Sequence, residues 1–322
     1  MKNRIWLFIV ISFFLCACAT PSDSVVQHAE IKIGTASPDG VYYQIGHALA
    51  GMLNKSQPTY TVAAYPTEGS AANIEALLNG DLSFAFVQSD RQYQAYHGLA
   101  AWKKKGSQQH LRSIAALYPE MITLVVRNSS AIRTIEDIKG KPINLGALGS
   151  GEHQNATDIL SVLHFHPQND LMGELFPARE NAPLMKEGVL DGYFLTSAHP
   201  SDTVKNSIRR KESIRMISLP DAMIAELTKQ YPYYHKAVIP PQKYYPFSTS
   251  TIGVTAILTT NSYMADDLAY AMTKTIVENF DRLKAVHTAF QDRTQRDLVT
   301  NLPAPLHPGA KRYYVEKGIL AP

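Results

Sequence analysis

Three times between Ile31 and Asp90 an apolar run ends in a cluster of small and polar residues, and this punctuation restricts the chain to few folds. The clusters are Ile33-Gly34-Thr35-Ala36-Ser37-Pro38-Asp39-Gly40-Val41-Tyr42-Tyr43, Pro66-Thr67-Glu68-Gly69-Ser70-Ala71-Ala72-Asn73 and Phe86-Val87-Gln88-Ser89-Asp90. Ile31-Lys32-Ile33-Gly34 alternates like a short strand, and from Tyr42 the apolar residues Ile45, Leu49 and Leu53 recur at a helical period. Tyr60 to Tyr65 predicts a second strand, Asn73 to Leu78 a helix stopped by Asn79-Gly80, and Leu82 to Val87 a buried parallel strand. Strand, helix, strand, helix, strand is the grammar of a doubly wound α/β sheet. Such sheets bind ligands beyond the carboxyl ends of their strands, where helix starts offer free N–H groups. The pattern points to a receptor for a small solute rather than to a catalyst.

A second unit repeats the grammar. Ile122 to Val126 predicts a strand passing between domains, Thr134 opens a short helix ending at Gly140, and Lys141 to Leu145 is again a strand. The loop Gly146-Ala147-Leu148-Gly149-Ser150-Gly151 then leads into a helix with Ala156, Ile159, Leu160 and Leu163 on one face. A helix around Leu184 to Val189 precedes a strand at Gly192 to Thr196, and Thr251 to Leu258 reads as the return crossing. The C-terminal third predicts one helix from about Ala265 to Leu283, with Asp266 and Asp267 at its positive end. Tyr231 to Tyr245, rich in proline and tyrosine, reads as an irregular surface or interdomain segment. The resulting organisation is a first lobe of 31–121 and 258–322 and a second of 122–257 including the crossing strands.

The N-terminus has a separate task. Lys2 and Arg4 precede an apolar run from Ile5 to Leu15, broken only by Ser12. A membrane span needs about 20 apolar residues, so this run fits a signal-peptide core and export. Leu15-Cys16-Ala17-Cys18 resembles a bacterial lipobox, with Cys18 as the lipidated residue and 19–30 as a tether. The simpler alternative is an ordinary signal peptide cleaved nearby, for instance after Ala19. No cysteine follows Cys18, which excludes a disulfide or a cysteine metal site in the body. A net charge of +3 gives no reason to expect nucleic acid.

Enzyme motifs fail on inspection. The loop at 146–151 is Gly-x-x-Gly-x-Gly, not the dinucleotide pattern, and lacks the Lys-Ser/Thr pair of a phosphate-binding loop. Ser150 has Leu148 where a nucleophile elbow requires glycine. The eleven histidines form no ligand motif, and no cofactor or metal is expected. What the loop does offer is open backbone N–H groups at a helix start, suited to a carboxylate or phosphate. Gln88 ends the third strand, where it can both donate and accept, and either Tyr42 or Tyr43 is expected to face the cleft or to pack inside.

Taken together, Gly34-Thr35 with Gly40-Val41-Tyr42-Tyr43, Thr67-Glu68-Gly69-Ser70 with Asn73, Val87-Gln88-Ser89-Asp90, Gly140-Lys141, Gly149-Ser150-Gly151 with Asn155, His199-Pro200, and Pro305-Leu306-His307-Pro308-Gly309-Ala310 with Arg312-Tyr313-Tyr314 and Glu316 form an ordered set. In these segments the chain resembles the TAXI family, the receptors of one class of TRAP (tripartite ATP-independent periplasmic) transporters. The resemblance implies a type II periplasmic-binding-protein fold, two doubly wound α/β lobes joined by hinge strands near 122–127 and 251–257. It implies capture of a small organic acid or amino acid, of the dicarboxylate, glutamate or 2-oxoglutarate class, and delivery to a TRAP-type membrane permease. Carried onto this sequence, the ligand-binding residues are Thr35, Tyr42 or Tyr43, Ser70, Gln88, Ser150, Gly151 and Asn155, and the C-terminal signature is structural. One departure stands out: Glu152 and His153 follow Gly-Ser-Gly where the family has a small or hydroxyl residue. A carboxylate there opposes an anionic ligand unless it turns outward, and leaves a zwitterion open. The rival readings are a receptor for an ABC importer or a sensor kinase, a surface lipoprotein without a transport role, and an enzyme built on the same scaffold.

Overall fold

Two long strands decide the architecture of the computed structural model, which describes residues 30–210 and 213–322. The signal peptide, Cys18 and residues 19–29 of the tether lie outside the described residues. The chain opens with β1 (Glu30–Gly34), α1 (Val41–Ser56), β2 (Thr61–Tyr65), α2 (Ser70–Asn79), β3 (Phe84–Gln88) and α3 (Ser89–His97), in the alternation read from sequence. Next come β4 (Leu111–Arg127), β5 (Pro142–Asn144), α4 (Gly151–Val162), α5 (Pro167–Asp170), β6 (Met172–Glu174), α6 (Asn181–Glu187), β7 (Gly192–Ser197) and α7 (Asp202–Asn206). The remainder is β8 (Ile214–Ile217), α8 (Asp221–Gln230), β9 (His235–Ile239), β10 (Thr249–Asn261), α9 (Asp266–Glu278), α10 (Phe280–Val286) and α11 (Pro308–Glu316).

The strands form one mixed sheet in the order β2-β1-β3-β10-β4-β7-β5-β6, with β8 added to β4 and β9 to β10. β1 pairs in parallel with β2 and β3, and β5 in parallel with β6 and β7. β4 and β10 run antiparallel to each other in the centre. At about 3.4 Å per residue, the 17 residues of β4 reach roughly 55 Å, enough to enter both halves of the molecule. β10 does the same: Ala256 to Thr259 pair with β3, while Thr249 to Gly253 pair with β9.

Burial follows that geometry. One core gathers Ile33, Ile45, Leu49, Phe84 and Phe86 with Met272, Ile276, Tyr313 and Tyr314 from the C-terminal helices. Another gathers Ile143, Ile159, Leu160, Phe194, Ile224, Leu227, Ile252 and Val254. We call the two ends lobe I and lobe II. β3 is buried along its whole length, which explains its unbroken apolar sequence.

Three local expectations are corrected. Tyr231 to Tyr245 is not simply irregular: it contains β9, which exists because Thr249–Gly253 offers it a free edge, a long-range partner invisible in the local sequence. The predicted helix to Leu283 breaks at Asn279, whose Nδ2 donates to Thr275 O at 2.9 Å, a side-chain bond that competes with helix continuation. The segment opened by Thr134 is only a single 3-10 turn at Glu136–Ile138, where Asp137 accepts from the N–H groups of Arg133 and Thr134.

Candidate functional site

The β1–α1 loop, the start of α2, the end of β3 and Glu120 on β4 form one wall of a cleft; the start of α4, the loop around Arg179 and the end of β7 form the other. Strand polarity causes this. Parallel strands deliver their carboxyl ends, and the helix starts that follow them, to the same edge.

Of the residues read from sequence, Tyr42, Ser70, Gln88, Ser150 and Gly151 line the cleft. Thr35, Tyr43 and Asn155 are placed elsewhere, each for a physical reason. Thr35 is wholly buried, its Oγ1 donating to Tyr65 O at 2.7 Å and its carbonyl accepting from Asn73 Nδ2 at 2.7 Å, so its polar atoms are spent on bracing the loop. Tyr43 packs against His47 with ring centroids 4.2 Å apart on the outer side of α1. Asn155 is sequestered one turn deeper, donating to Asp90 Oδ2 (2.6 Å) and to the Tyr234 hydroxyl (2.8 Å) and accepting from Thr196 Oγ1 (2.8 Å).

The remaining lining shows how closely the lobes meet. Ser70 Oγ accepts from the Gln88 N–H at 3.1 Å, leaving its own hydroxyl proton for the cleft. Ser150 caps α4 by accepting from the His153 N–H at 3.1 Å. The N–H groups of Gly151 and Glu152 fall in the first turn, where a helix provides no acceptor of its own. The bare Gly151 gives the Gln88 carboxamide from the opposite lobe its place: a Cβ there would collide with it and force it aside.

Sequence reasoning missed one acidic side chain of the cleft and left the direction of another open. Glu120, only 3% exposed, accepts from the Tyr42 hydroxyl at 2.7 Å. Burial, above all, pushes its carboxyl up to about 8, with the Tyr42 bond opposing and Asp90 and Glu152 adding to the rise. No motif marks Glu120, which lies in the middle of a long strand; only the antiparallel neighbour β10 and the crossing geometry bring it to the cleft. Glu152 was noticed as a departure, and it turns inward, lining the cleft. Burial pushes it up to about 8 as well, despite the favourable end of the α4 dipole. Asp39 and Glu68 complete an acidic lining in which Arg179 is the only basic side chain, and Arg179 is exposed with Nε 3.3 Å from its neighbour Glu180.

The lobes are bridged around the cleft. The Ala71 N–H donates to Gly149 O at 3.1 Å, Thr203 Oγ1 donates to Asp39 Oδ2 at 3.0 Å, and Gln94 Nε2 donates to the Tyr233 hydroxyl at 2.6 Å. Beneath them Arg91 lies 2.9 Å from Asp90 and 3.6 Å from Asp158, both lobes thus sharing one buried guanidinium. The Tyr234 hydroxyl donates to Asp158 at 2.7 Å and closes this network. The arrangement is a closed two-lobed clamp.

No group of His, Cys, Asp and Glu among the described residues is arranged to hold a metal ion. Ser70 and Ser150 are bonded to backbone amides, whereas Ser37 in the β1–α1 loop donates to Asp39 Oδ1 at 2.6 Å.

A model of the NMT1-like family matches residues 33–318. Among solved structures, the alkanesulfonate-binding protein SsuA from Xanthomonas axonopodis pv. citri, bound to MOPS, is similar with a TM-score of 0.52 at 14% identity, over 88% of this chain and 83% of that one. A Bordetella bronchiseptica protein gives a TM-score of 0.56 at 13% identity, over 90% and 98%. An ancestral arginine-binding protein bound to arginine gives 0.50 at 15% identity, over 80% and 97%. At these identities the likeness establishes the periplasmic-binding-protein type of mixed α/β fold.

Proposed function

The chain belongs to the NMT1-like family, and we propose that it is an extracytoplasmic solute receptor which captures a small organic solute between its lobes and delivers it to a membrane permease. The observation that carries this reading is the convergence of Ser70, Gln88 and Glu120 from lobe I with Ser150, Gly151 and Glu152 from lobe II on one cleft, ringed by direct interlobe bonds. A cleft closed in this way binds by enclosing its ligand. Ser70 and Ser150, at the starts of α2 and α4, engage backbone amides rather than a base, which favours capture without chemical change.

The ordered motifs, from Gly34-Thr35 to Tyr313-Tyr314, favour the TAXI class and hence a TRAP-type secondary transporter as the recipient. An ABC importer or a sensor kinase would use the same fold. Crosslinking the loaded receptor in its native membrane separates these, since a TRAP permease subunit or an ABC permease subunit is recovered. The lipobox-like Leu15-Cys16-Ala17-Cys18 supports an export signal and a lipid anchor at Cys18, outside the described residues. Among the described residues no helix is long and apolar enough to cross a membrane. In the lipid-anchored case Cys18→Ser abolishes incorporation of labelled palmitate and releases the protein from membranes.

The primary test is thermal stability of the full chain against organic acids, amino acids, amines and sulfonates. A ligand at 100 times its Kd adds about 2.7 kcal/mol to stability. A panel that leaves the folded protein's midpoint unmoved removes the receptor reading. The glutamate or 2-oxoglutarate class implied by the motifs meets a cleft whose lining carries four acidic side chains and one arginine, so the charge of the solute is the most exposed part of that expectation.

A further inference from the structure

We infer that the solute is a small organic cation, an amine or guanidine without net negative charge, whose N–H donors are received by Glu120, Glu152 and the carboxamide oxygen of Gln88. This rests on the receptor reading and specifies its ligand.

Three observations converge. Gln88 is 3% exposed and lines the cleft, yet its Oε1 accepts no hydrogen bond. A buried acceptor without a donor has given up its hydration for nothing, so a ligand that supplies the donor recovers that cost. Glu120, equally buried, receives only the Tyr42 hydroxyl, although an ionised carboxylate has room for about four donors. Glu152 enters from the other lobe into the same lining, and its carboxyl disfavours ionisation of Glu120. The inner cleft therefore sets three acceptors, Gln88 Oε1, Glu120 and Glu152, across the interlobe gap, beside the Ser70 hydroxyl and the N–H groups at the start of α4.

An ammonium group has three donors and no acceptor, and a guanidinium has five donors and none. Either matches this lining atom for atom in kind, and its charge relieves the repulsion between the two carboxyls. A carboxylate offers only acceptors. It would find donors in the Ser70 hydroxyl and the α4 N–H groups, but would leave Gln88 Oε1 unpaired and would need Glu120 and Glu152 to stay protonated. Arg179, the sole cation of the lining, stands at the exposed rim beside Glu180 and does not reach the inner acceptors' role.

The two ligand charges give opposite pH dependences. Glu120 is faced by Tyr42 from α1, Asp90 from α3, Tyr118 from its own strand and Glu152 from α4. Glu152 is faced by Asp39 from the β1–α1 loop and by Thr196 and Tyr193 from β7. None of these supplies a cation, so ionisation of the carboxyls waits for higher pH or for a cationic ligand. A cation binds more tightly as pH rises from 6.5 to 8.5 and expels protons; an anion binds more weakly over the same interval.

The experiment is calorimetric titration of the full chain with putrescine and agmatine against glutarate, 2-oxoglutarate and glutamine, at pH 6.5 and 8.5. The expected result is that a cation binds most tightly, gains at least threefold in affinity at the higher pH, and loses at least tenfold in Glu120→Gln and in Glu152→Gln. The unliganded melting midpoint of each variant verifies folding, and the pH dependence of the unaltered chain stands should a variant fail to fold. If a dicarboxylate or glutamine binds more tightly than both cations, the receptor reading survives and the cationic ligand is wrong. If nothing in this set or in the wider panel binds, both fall.

Discussion

At the level of single residues, the cleft depends on what is missing at Gly151. A methyl group there meets the carboxamide of Gln88, the far end of a side chain able to swing aside. Gly151→Ala is therefore expected to displace Gln88 from the cleft and weaken ligand binding at least tenfold, while the unliganded melting midpoint moves by no more than a few degrees. Titration beside a melting curve checks both halves of this. Gly309 makes the contrast: a Cβ there meets the backbone carbonyl of Asp266, which has nowhere to go. Gly309→Ala should cost about 1–3 kcal/mol by overpacking, measured by urea unfolding, with the ligand affinity of the folded fraction unchanged. Gly-Ser-Gly was legible as a site in the sequence because glycine and serine at a helix start have few other purposes. Glu120 was not, because a glutamate in the middle of a strand has no local signature.

Among the elements, α11 shows why the C-terminal signature is structural. His307 caps the helix by accepting from the Gly309 N–H, Tyr313 and Tyr314 are buried in the lobe I core, and Arg312 lies 2.8 Å from Asp267 of α9. These contacts hold α11 against α9, away from the cleft lining. The interlobe network beneath the cleft behaves differently. Asn155 of α4 ties Asp90 of α3 to Tyr234, so its loss removes an interlobe bond and leaves the Thr196 hydroxyl without its acceptor, at about 1–3 kcal/mol. Asn155→Ala is expected to favour the open clamp: small-angle scattering should show a larger radius of gyration for the variant without ligand, narrowing when saturating ligand is added. An unchanged radius in both states would separate this network from closure. Periodicity located α1, α2, α4 and β3 because each buries a face against its own neighbours. It missed β9, whose only reason to be a strand is the edge of β10.

For the molecule as a whole, burying Glu120 and Glu152 gives stability a pH dependence. Both carboxyls are pushed up to about 8 in the folded chain, above their ordinary value. The folded state thus holds protons that the unfolded chain has released, so their contribution is complete below the ordinary carboxyl range and is lost as pH rises toward 8. His199, pushed down to about 4 by burial, acts in the opposite sense, and its contribution is lost as pH falls below its ordinary range. Between pH 6.5 and 8 the carboxyl effect stands largely alone. The melting midpoint of the unliganded protein should fall over that interval, and Glu120→Gln should flatten the decline. A profile that is flat in the unaltered chain would mean that these carboxyls ionise freely in the closed clamp.

By itself the sequence determined the doubly wound alternation and the helix-start loops at 66–73 and 146–151, because each is written in short-range periodicity, chain punctuation or a local motif. Tertiary structure alone decided that Thr35, Tyr43 and Asn155 stand off the cleft, that Glu120 enters it and that Glu152 turns inward. Which side chains share a cavity depends on how β4 and β10 carry the chain between two cores, and no local pattern of residues encodes where two distant walls will meet.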